Sequence, residues 1–292
     1  MSSPTLARIR CALAVLCLCG ALPLAAEEPS VDALARSSNP SDWAKLGALY
    51  MFGSEAIPAD RRKAIEWYER AGEKGDAASQ EALGVIYALE GPERDLEKSF
   101  AWYLKAAQQD KRLSQSKVAD AYRTGEGVAR NQRSAFEWYS KAAAAGWPDA
   151  LYRLGTYHAY GSGVPMDQKR ATELFKLASD RGSAAGMRAY AIRLARGDGV
   201  EKDSKRANQL IGQAARRGDA QAQYHIGQFY ERGNGVPVDA VMAYAWYRLA
   251  AGKGYEEARK AGDELGARLT PEERTEGQRI AASWVGGKDL QR

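Results

Sequence analysis

Residues 219–254 read DAQAQYHIGQFYERGNGVPVDAVMAYAWYRLAAGKG. In the first part, Ala222, Ile226, Gly227, Phe229 and Tyr230 recur at the spacing of one helix face, not in strand alternation. Gly233-Asn234-Gly235 then supplies residues that enter positive φ at little steric cost, which ends that helix. Val236-Pro237 makes the crossing, and Asp239 stands where an N-cap belongs, its carboxylate able to accept from the orphan amides of a second helix. The second helix carries Ala243, Trp246, Tyr247 and Ala250 on one face, and Gly254 closes it. The stretch predicts a helical hairpin.

The hairpin recurs along the chain. Counting back from Trp246 in steps of 36, the same slot holds Leu210, Leu174, Trp138 and Trp102, and a step one residue shorter reaches Trp67. The next slot holds Tyr68, Tyr103, Tyr139, Phe175, Ile211 and Tyr247. Alanine fills one slot every time, at Ala71, Ala106, Ala142, Ala178, Ala214 and Ala250. A capping side chain fills another, at Asp60, Asp95, Asn131, Asp167, Asp203 and Asp239. Small residues recur in the second helices (Ala64, Ser99, Ala135, Ala171, Ala207, Ala243) and in the first (Gly47, Gly84, Ala119, Gly155, Ala191, Gly227), where they let paired helices approach closely. Such a period predicts an all-α solenoid of stacked repeats, none of which buries its apolar face alone. The Trp/Tyr columns then fill the core between helix layers.

Six repeats run over residues 41–254. The second is irregular: its turn shortens to Leu89-Glu90-Gly91-Pro92, and Asp110 stands where glycine is expected, which suggests a local change of superhelical pitch. Residues 255–292 read as capping helices. Thr270-Pro271-Glu272-Glu273 makes a capping box, and Ile280, Ala281 and Trp284 supply an apolar side that seals the open end of the solenoid. At the other end, residues 27–40 are polar and proline-punctuated, as in a linker. Residues 1–26 combine Arg8 and Arg10, an apolar run from Cys11 to Leu24, and small residues at Ala25 and Ala26, the pattern of a signal peptide cleaved near Ala26. That pattern places the mature chain in the periplasm or outside the cell, with no transmembrane span of its own.

Composition narrows the function further. All three cysteines, Cys11, Cys17 and Cys19, fall in the leader, so the mature chain would hold no disulfide or thiolate chemistry. Removing Arg8 and Arg10 leaves 40 basic against 37 acidic side chains, interspersed, without the basic blocks that follow a phosphate backbone. Nucleic acid is not an expected partner. The two histidines, His158 and His225, lie in different repeats; His158 takes a tyrosine slot of the core and His225 a solvent-facing slot. No metal-ligand spacing is present, and neither metal nor cofactor is expected. Ser114-Gln115-Ser116-Lys117 matches S-x-x-K, but without a K-T-G partner, and four residues match readily by chance.

The columns resemble the Sel-1-like repeat, a relative of the tetratricopeptide repeat with a longer helix connection. The motif stands here as Ile226-Gly227-Gln228-Phe229-Tyr230, Gly233-Asn234-Gly235-Val236, Asp239 and Trp246-Tyr247-Arg248-Leu249-Ala250-Ala251. The resemblance implies a right-handed α/α superhelix with a concave inner face, and an adaptor, assembly or regulatory role. Together with the leader pattern it implies a non-enzymatic scaffold that binds a protein partner in an envelope process, and the chain is expected to be a monomer. Cysteine-rich secreted members of the family are linked to penicillin binding or β-lactamase activity; this chain departs from them in lacking mature cysteines, so a cell-wall enzyme is the alternative. The related tetratricopeptide geometry lines the inner face with first-helix residues at fixed offsets from the small slot. Those offsets pick Tyr152, Thr156 and Tyr160, then Arg188, Ile192 and Arg196, then Tyr224, Gln228, Glu231 and Arg232. These side chains vary between repeats while the packing columns do not, and they suit an acidic or amphipathic segment of a partner. Reversing Arg188, Arg196 and Arg232 together is expected to abolish capture and leave the helices intact.

Overall fold

The computed structural model describes residues 30–54, 57–234, 236–288 and 290. The leader 1–26 lies outside them. The described residues form fifteen α-helices and no strand. They fall into two compact units, which divide between Gly146 and Trp147.

The first unit holds α1 (Val31–Arg36), α2 (Pro40–Phe52), α3 (Arg61–Glu73), α4 (Ala77–Ala88), α5 (Leu96–Gln108), α6 (Arg112–Thr124) and α7 (Gln132–Ala144). The second holds α8 (Pro148–Tyr160), α9 (Gln168–Asp180), α10 (Ala184–Arg196), α11 (Ser204–Arg216), α12 (Ala220–Arg232), α13 (Ala240–Ala251), α14 (Glu256–Arg268) and α15 (Pro271–Ala282). Within each unit the first helix of each repeat packs on its own second helix, and α4, α6, α10 and α12 also pack on the second helix before them. Helix α1 falls in the stretch expected to be linker. Ser30 caps it by accepting from the Ala33 amide, and Leu34 is buried.

The columns do the work their chemistry suggests. Asp60, Asp95, Asn131, Asp167, Asp203 and Asp239 each cap a second helix, accepting from amides of its first turn. Loss of one such cap costs about 1 kcal/mol. The first-helix glycines lie against rings of the partner helix: a Cβ on Gly47 would meet Tyr68 at 2.7 Å, one on Gly84 would meet Tyr103 at 2.6 Å, and one on Gly155 would meet Phe175 at 2.6 Å. Buried glutamines add a tie that the periodicity does not reveal. Gln80, Gln115 and Gln223 donate to the carbonyls of Gly72, Ala107 and Ala215, joining a first helix to the end of the preceding second helix.

The six column alanines have no exposed surface, and a Cβ on Gly186 would come within 2.5 Å of the Ala178 Cβ. Ala178→Leu and Ala214→Leu are each expected to destabilise by about 1–3 kcal/mol through over-packing. Unchanged thermal melting of both variants, followed by circular dichroism, would show the register to be misassigned.

Two details of the first unit go beyond the sequence pattern. The turn at Asp110 keeps the regular geometry: Asp110 adopts φ 60° where Gly75 and Gly146 adopt 91° and 88°. Its neighbours keep the same carbonyl partners, Lys111 N–H on Ala106 as Asp76 N–H on Ala71. Aspartate tolerates the left-handed region better than most residues, so the turn is preserved without glycine. The tryptophan column is also less deeply buried here than a core column. Trp67 and Trp138 are half-buried, and cations cover the column, Arg70 over Trp67, Lys105 over Trp102 at 3.9 Å and Lys141 over Trp138 at 4.0 Å.

The C-terminal segment departs from the expected cap. Helix α14 adds a seventh first helix on α13, but α15 lies along α13 itself and does not seal an end. Ile280 is fully buried in a cluster with Leu210, Ile211, Val241 and Met242. The chain then crosses to α11, where Gly287 N–H donates to the Arg216 carbonyl and Leu290 is buried in the same cluster. The slots of Val241, Met242 and Ala245 hold Lys169, Arg170 and Glu173 in α9 and Lys205, Arg206 and Gln209 in α11, all exposed. The apolar back of α13 is what α15 covers.

Candidate partner-binding surface

The selected first-helix residues of the second unit meet different fates. Tyr160, Arg196 and Arg232 are exposed, Tyr160 to 80%. They are the last residues of α8, α10 and α12, where left-handed glycines at 161, 197 and 233 stop the helices. Tyr152, Thr156 and Ile192 are half-buried; the Tyr152 ring rests on Phe175 at 5.9 Å, and the Thr156 hydroxyl donates to the Arg153 carbonyl.

Arg188 is engaged inside the fold. Its Nε donates to Asp219 Oδ1 at 3.0 Å, with the two side chains only 14% and 12% exposed, and the same oxygen caps α12 through the Ala222 amide. Burial lowers the Arg188 pKa, but Asp219 and then Tyr152 outweigh it and leave a net rise. The triple reversal is therefore not a neutral surface change. Arg188→Glu would bury a carboxylate against Asp219 and is expected to cost on the order of 3 kcal/mol. A thermal melt equal to that of the parent would contradict this pairing.

Tyr224, Gln228 and Glu231 are brought together along α12. The Tyr224 ring packs against Tyr247 at 5.5 Å and Tyr255 at 5.4 Å, and its hydroxyl accepts from Gln228 Nε2 at 3.0 Å. Gln228 Oε1 lies 3.1 Å from His225 Nδ1, so His225 is half-buried beside this cluster and does not face solvent freely. Glu231 accepts from the Tyr247 hydroxyl at 2.7 Å and pairs with Arg268 at 2.6 Å. Burial first, and the Glu231 carboxylate second, push the Tyr247 phenol well above its ordinary range. The cluster presents a rigid aromatic and amide surface whose polar atoms are already oriented. Tyr255 and Arg268 belong to it but lie at or beyond the end of the six repeats, and one further step of 36 from Arg232 reaches Arg268.

A cleft of about 460 Å³ opens near the starts of α8, α10 and α12, lined among others by Asp149, Tyr152, Ser183, Arg217 and Asp219. Its charges are largely used within the fold: Ser183 donates to Asp149 and Arg217 to the Gly182 carbonyl. In the first unit, Ser114 of the S-x-x-K match is fully buried and donates to Glu81 at 2.6 Å, while Lys117 is exposed. The serine is thus a packing residue out of reach of substrate. Among the described residues no helix is long and apolar enough to cross a membrane.

Stacked helical hairpins with buried invariant columns and a variable exposed face define an α-helical repeat protein of the interaction type. The chain belongs to the Sel1 repeat family: the Sel1 repeat pattern matches residues 44–76, 77–111, 112–147, 148–183, 184–219 and 220–255. Sel1 repeats are protein-interaction modules, typically in non-enzymatic scaffolds. A Sel1 repeat protein from Oxalobacter formigenes superposes with a TM-score of 0.69 at 26% identity, over 76% of this chain and 87% of that one. A protective antigen of uropathogenic Escherichia coli strains with an SLR fold gives 0.62 at 29% identity, over 82% of this chain. This chain spans about half of that antigen (54%). HRD3A of Arabidopsis thaliana, an ERAD-associated E3 ubiquitin-protein ligase component, is 39% identical over 54 residues, which are 18% of this chain and 8% of that protein.

Proposed function

We propose that the protein is an exported, non-enzymatic scaffold that binds a segment of a partner protein across the first helices of its second unit, in an envelope process. The observation that carries this is the contrast between two sets of residues. The alanine, tyrosine and small-residue columns are buried in packing and the aspartate column is engaged in capping, whereas Tyr160, Arg196, Tyr224, Gln228 and Arg232 stand outside those columns and are exposed or half-buried. Tyr and Arg are the side chains most enriched where interfaces carry their energy. The export step rests on the leader pattern of residues 1–26.

The test is capture by a tagged mature chain in the native envelope, with chemical crosslinking and mass spectrometry, beside Arg196→Glu/Arg232→Glu. The pair of reversals is expected to remove the specific partner at unchanged helical circular dichroism. Equal recovery of the same partner by parent and variant would move the site off this face.

A further inference from the structure

In the second unit the second helices hand the chain on through Arg181-Gly182, Arg217-Gly218 and Lys253-Gly254. Contacts join these three turns into one edge. Arg217 Nη1 donates to the Gly182 carbonyl at 2.7 Å, and Lys253 Nζ donates to the Gly218 carbonyl at 2.6 Å. Each of these cations thus lies against the residue that follows the previous one. The chain after α15 closes on the same place. The Trp284 ring stands 4.8 Å from Lys253 Nζ and 3.5 Å from where a Cβ on Gly218 would lie, and its Nε1 donates to the Lys288 carbonyl. Gly287 N–H donates to the Arg216 carbonyl, one residue before Arg217.

The edge carries more charge than the fold uses. Arg181, Arg217, Lys253 and Lys288 are exposed, and no carboxylate of a described residue pairs with any of them. The acids nearby are engaged elsewhere: Asp180 with Lys176, Asp219 with Arg188, and Asp149 with the Ser183 hydroxyl. The macrodipole favours a cation at a helix C-terminus. The same position in the first unit, however, holds Lys74, Gln109 and Ala145, so the turn closes without one. Beside the cations, Val285 is 63% exposed.

We propose that this edge rests on a membrane surface, its cations on the phosphates of anionic phospholipids and Val285 in the interfacial layer. A guanidinium or ammonium that gives one N–H to a neutral carbonyl keeps its charge and its other donors for a phosphate. An exposed aliphatic side chain gains free energy on leaving water, and the interface is where tryptophan concentrates. A sugar stacked on Trp284 fits less well, because Lys253 and Gly218 already lie against the ring. The edge is clear of the first-helix residues assigned to a protein partner: Arg232 ends α12 at the far end from Gly218, about 18 Å along the helix. Failure of either reading therefore leaves the other untouched.

Residues 27–292 contain no cysteine, so Val285→Cys gives that chain a single site for an environment-sensitive nitrobenzoxadiazole dye. Val238→Cys is the control, 67% exposed in the turn between α12 and α13. With phosphatidylglycerol vesicles the emission at position 285 should shift to the blue and that at 238 should not; with phosphatidylcholine vesicles neither should change. Each cation near an anionic surface strengthens binding by about fivefold, so Arg181→Gln/Arg217→Gln/Lys253→Gln/Lys288→Gln should raise the lipid concentration for half-binding by at least about tenfold. Glutamine still donates to the Gly182 and Gly218 carbonyls, so the helices should be kept. Raising the salt concentration gives the same test without a substitution, and should release the parent chain from the vesicles. No response to phosphatidylglycerol, an equal response to phosphatidylcholine or at position 238, an unaffected variant, or binding indifferent to salt would overturn the proposal. The same emission shift with soluble polyglutamate would overturn the choice of a lipid surface and make the edge a protein-binding one.

Discussion

Replacing Ile280 by aspartate is expected to destabilise the second unit by about 4 kcal/mol or more. Ile280 has no exposed surface, so the substitution removes its burial, leaves a cavity and places a carboxylate among Leu210, Val241 and Met242. With α15 displaced, α13 would present Val241, Met242 and Ala245 to water at slots where other second helices are charged. For a unit of this size the melting temperature should fall by about 10 °C, and protease should cut between α14 and α15 well before the rest unfolds. A variant with parental melting and proteolysis would show that α15 does not support α13.

Gly127→Ala should be the costliest small change in the first unit. Gly127 adopts φ 72°, and an added Cβ would run into the Leu96 carbonyl oxygen, with the Glu97 nitrogen at 3.1 Å, all rigid backbone at the start of α5. Left-handed strain costs about 1–3 kcal/mol, and the overlap adds about 1–3 kcal/mol. Gly146→Ala is the matched control: its φ is 88°, but no atom other than an arginine tip at 4.0 Å stands near. It should lose only the left-handed strain, about 1–2 kcal/mol, without the overlap. Equal losses for the two variants, by thermal or urea denaturation, would mean that the turn of the third repeat does not rest on α5.

Much of this architecture is legible from residue spacing because each column has one physical task repeated six times. A carboxylate at Asp239 or Asp203 has one geometry in which to cap, and glycine at Gly47 or Gly227 is required because a ring occupies the space of its Cβ. What depends on a partner outside the repeat is harder to read. Asp110 holds a glycine conformation because its short side chain permits it, and no column records that permission. Arg188 looks like a free cation in one dimension; the ion pair becomes visible only when α12 brings Asp219 beside it. The position of α15 had a signal, the apolar Val241-Met242 and Ala245 in slots otherwise polar, but a period search weighs what repeats and passes over what differs. The candidate surface is the least legible part for the same reason: its residues are those that the repeat does not constrain.

The central claim is that a partner segment lies on the first-helix face of residues 147–290. A photo-crosslinking amino acid placed singly at Tyr160, Gln228, Lys176 and Gln209 tests it most directly. The first two positions lie on first helices, and the last two are exposed on second helices α9 and α11. Irradiation in the native envelope should yield the same partner from Tyr160 and Gln228 and none from Lys176 or Gln209. Adducts from the second-helix positions alone would contradict the account.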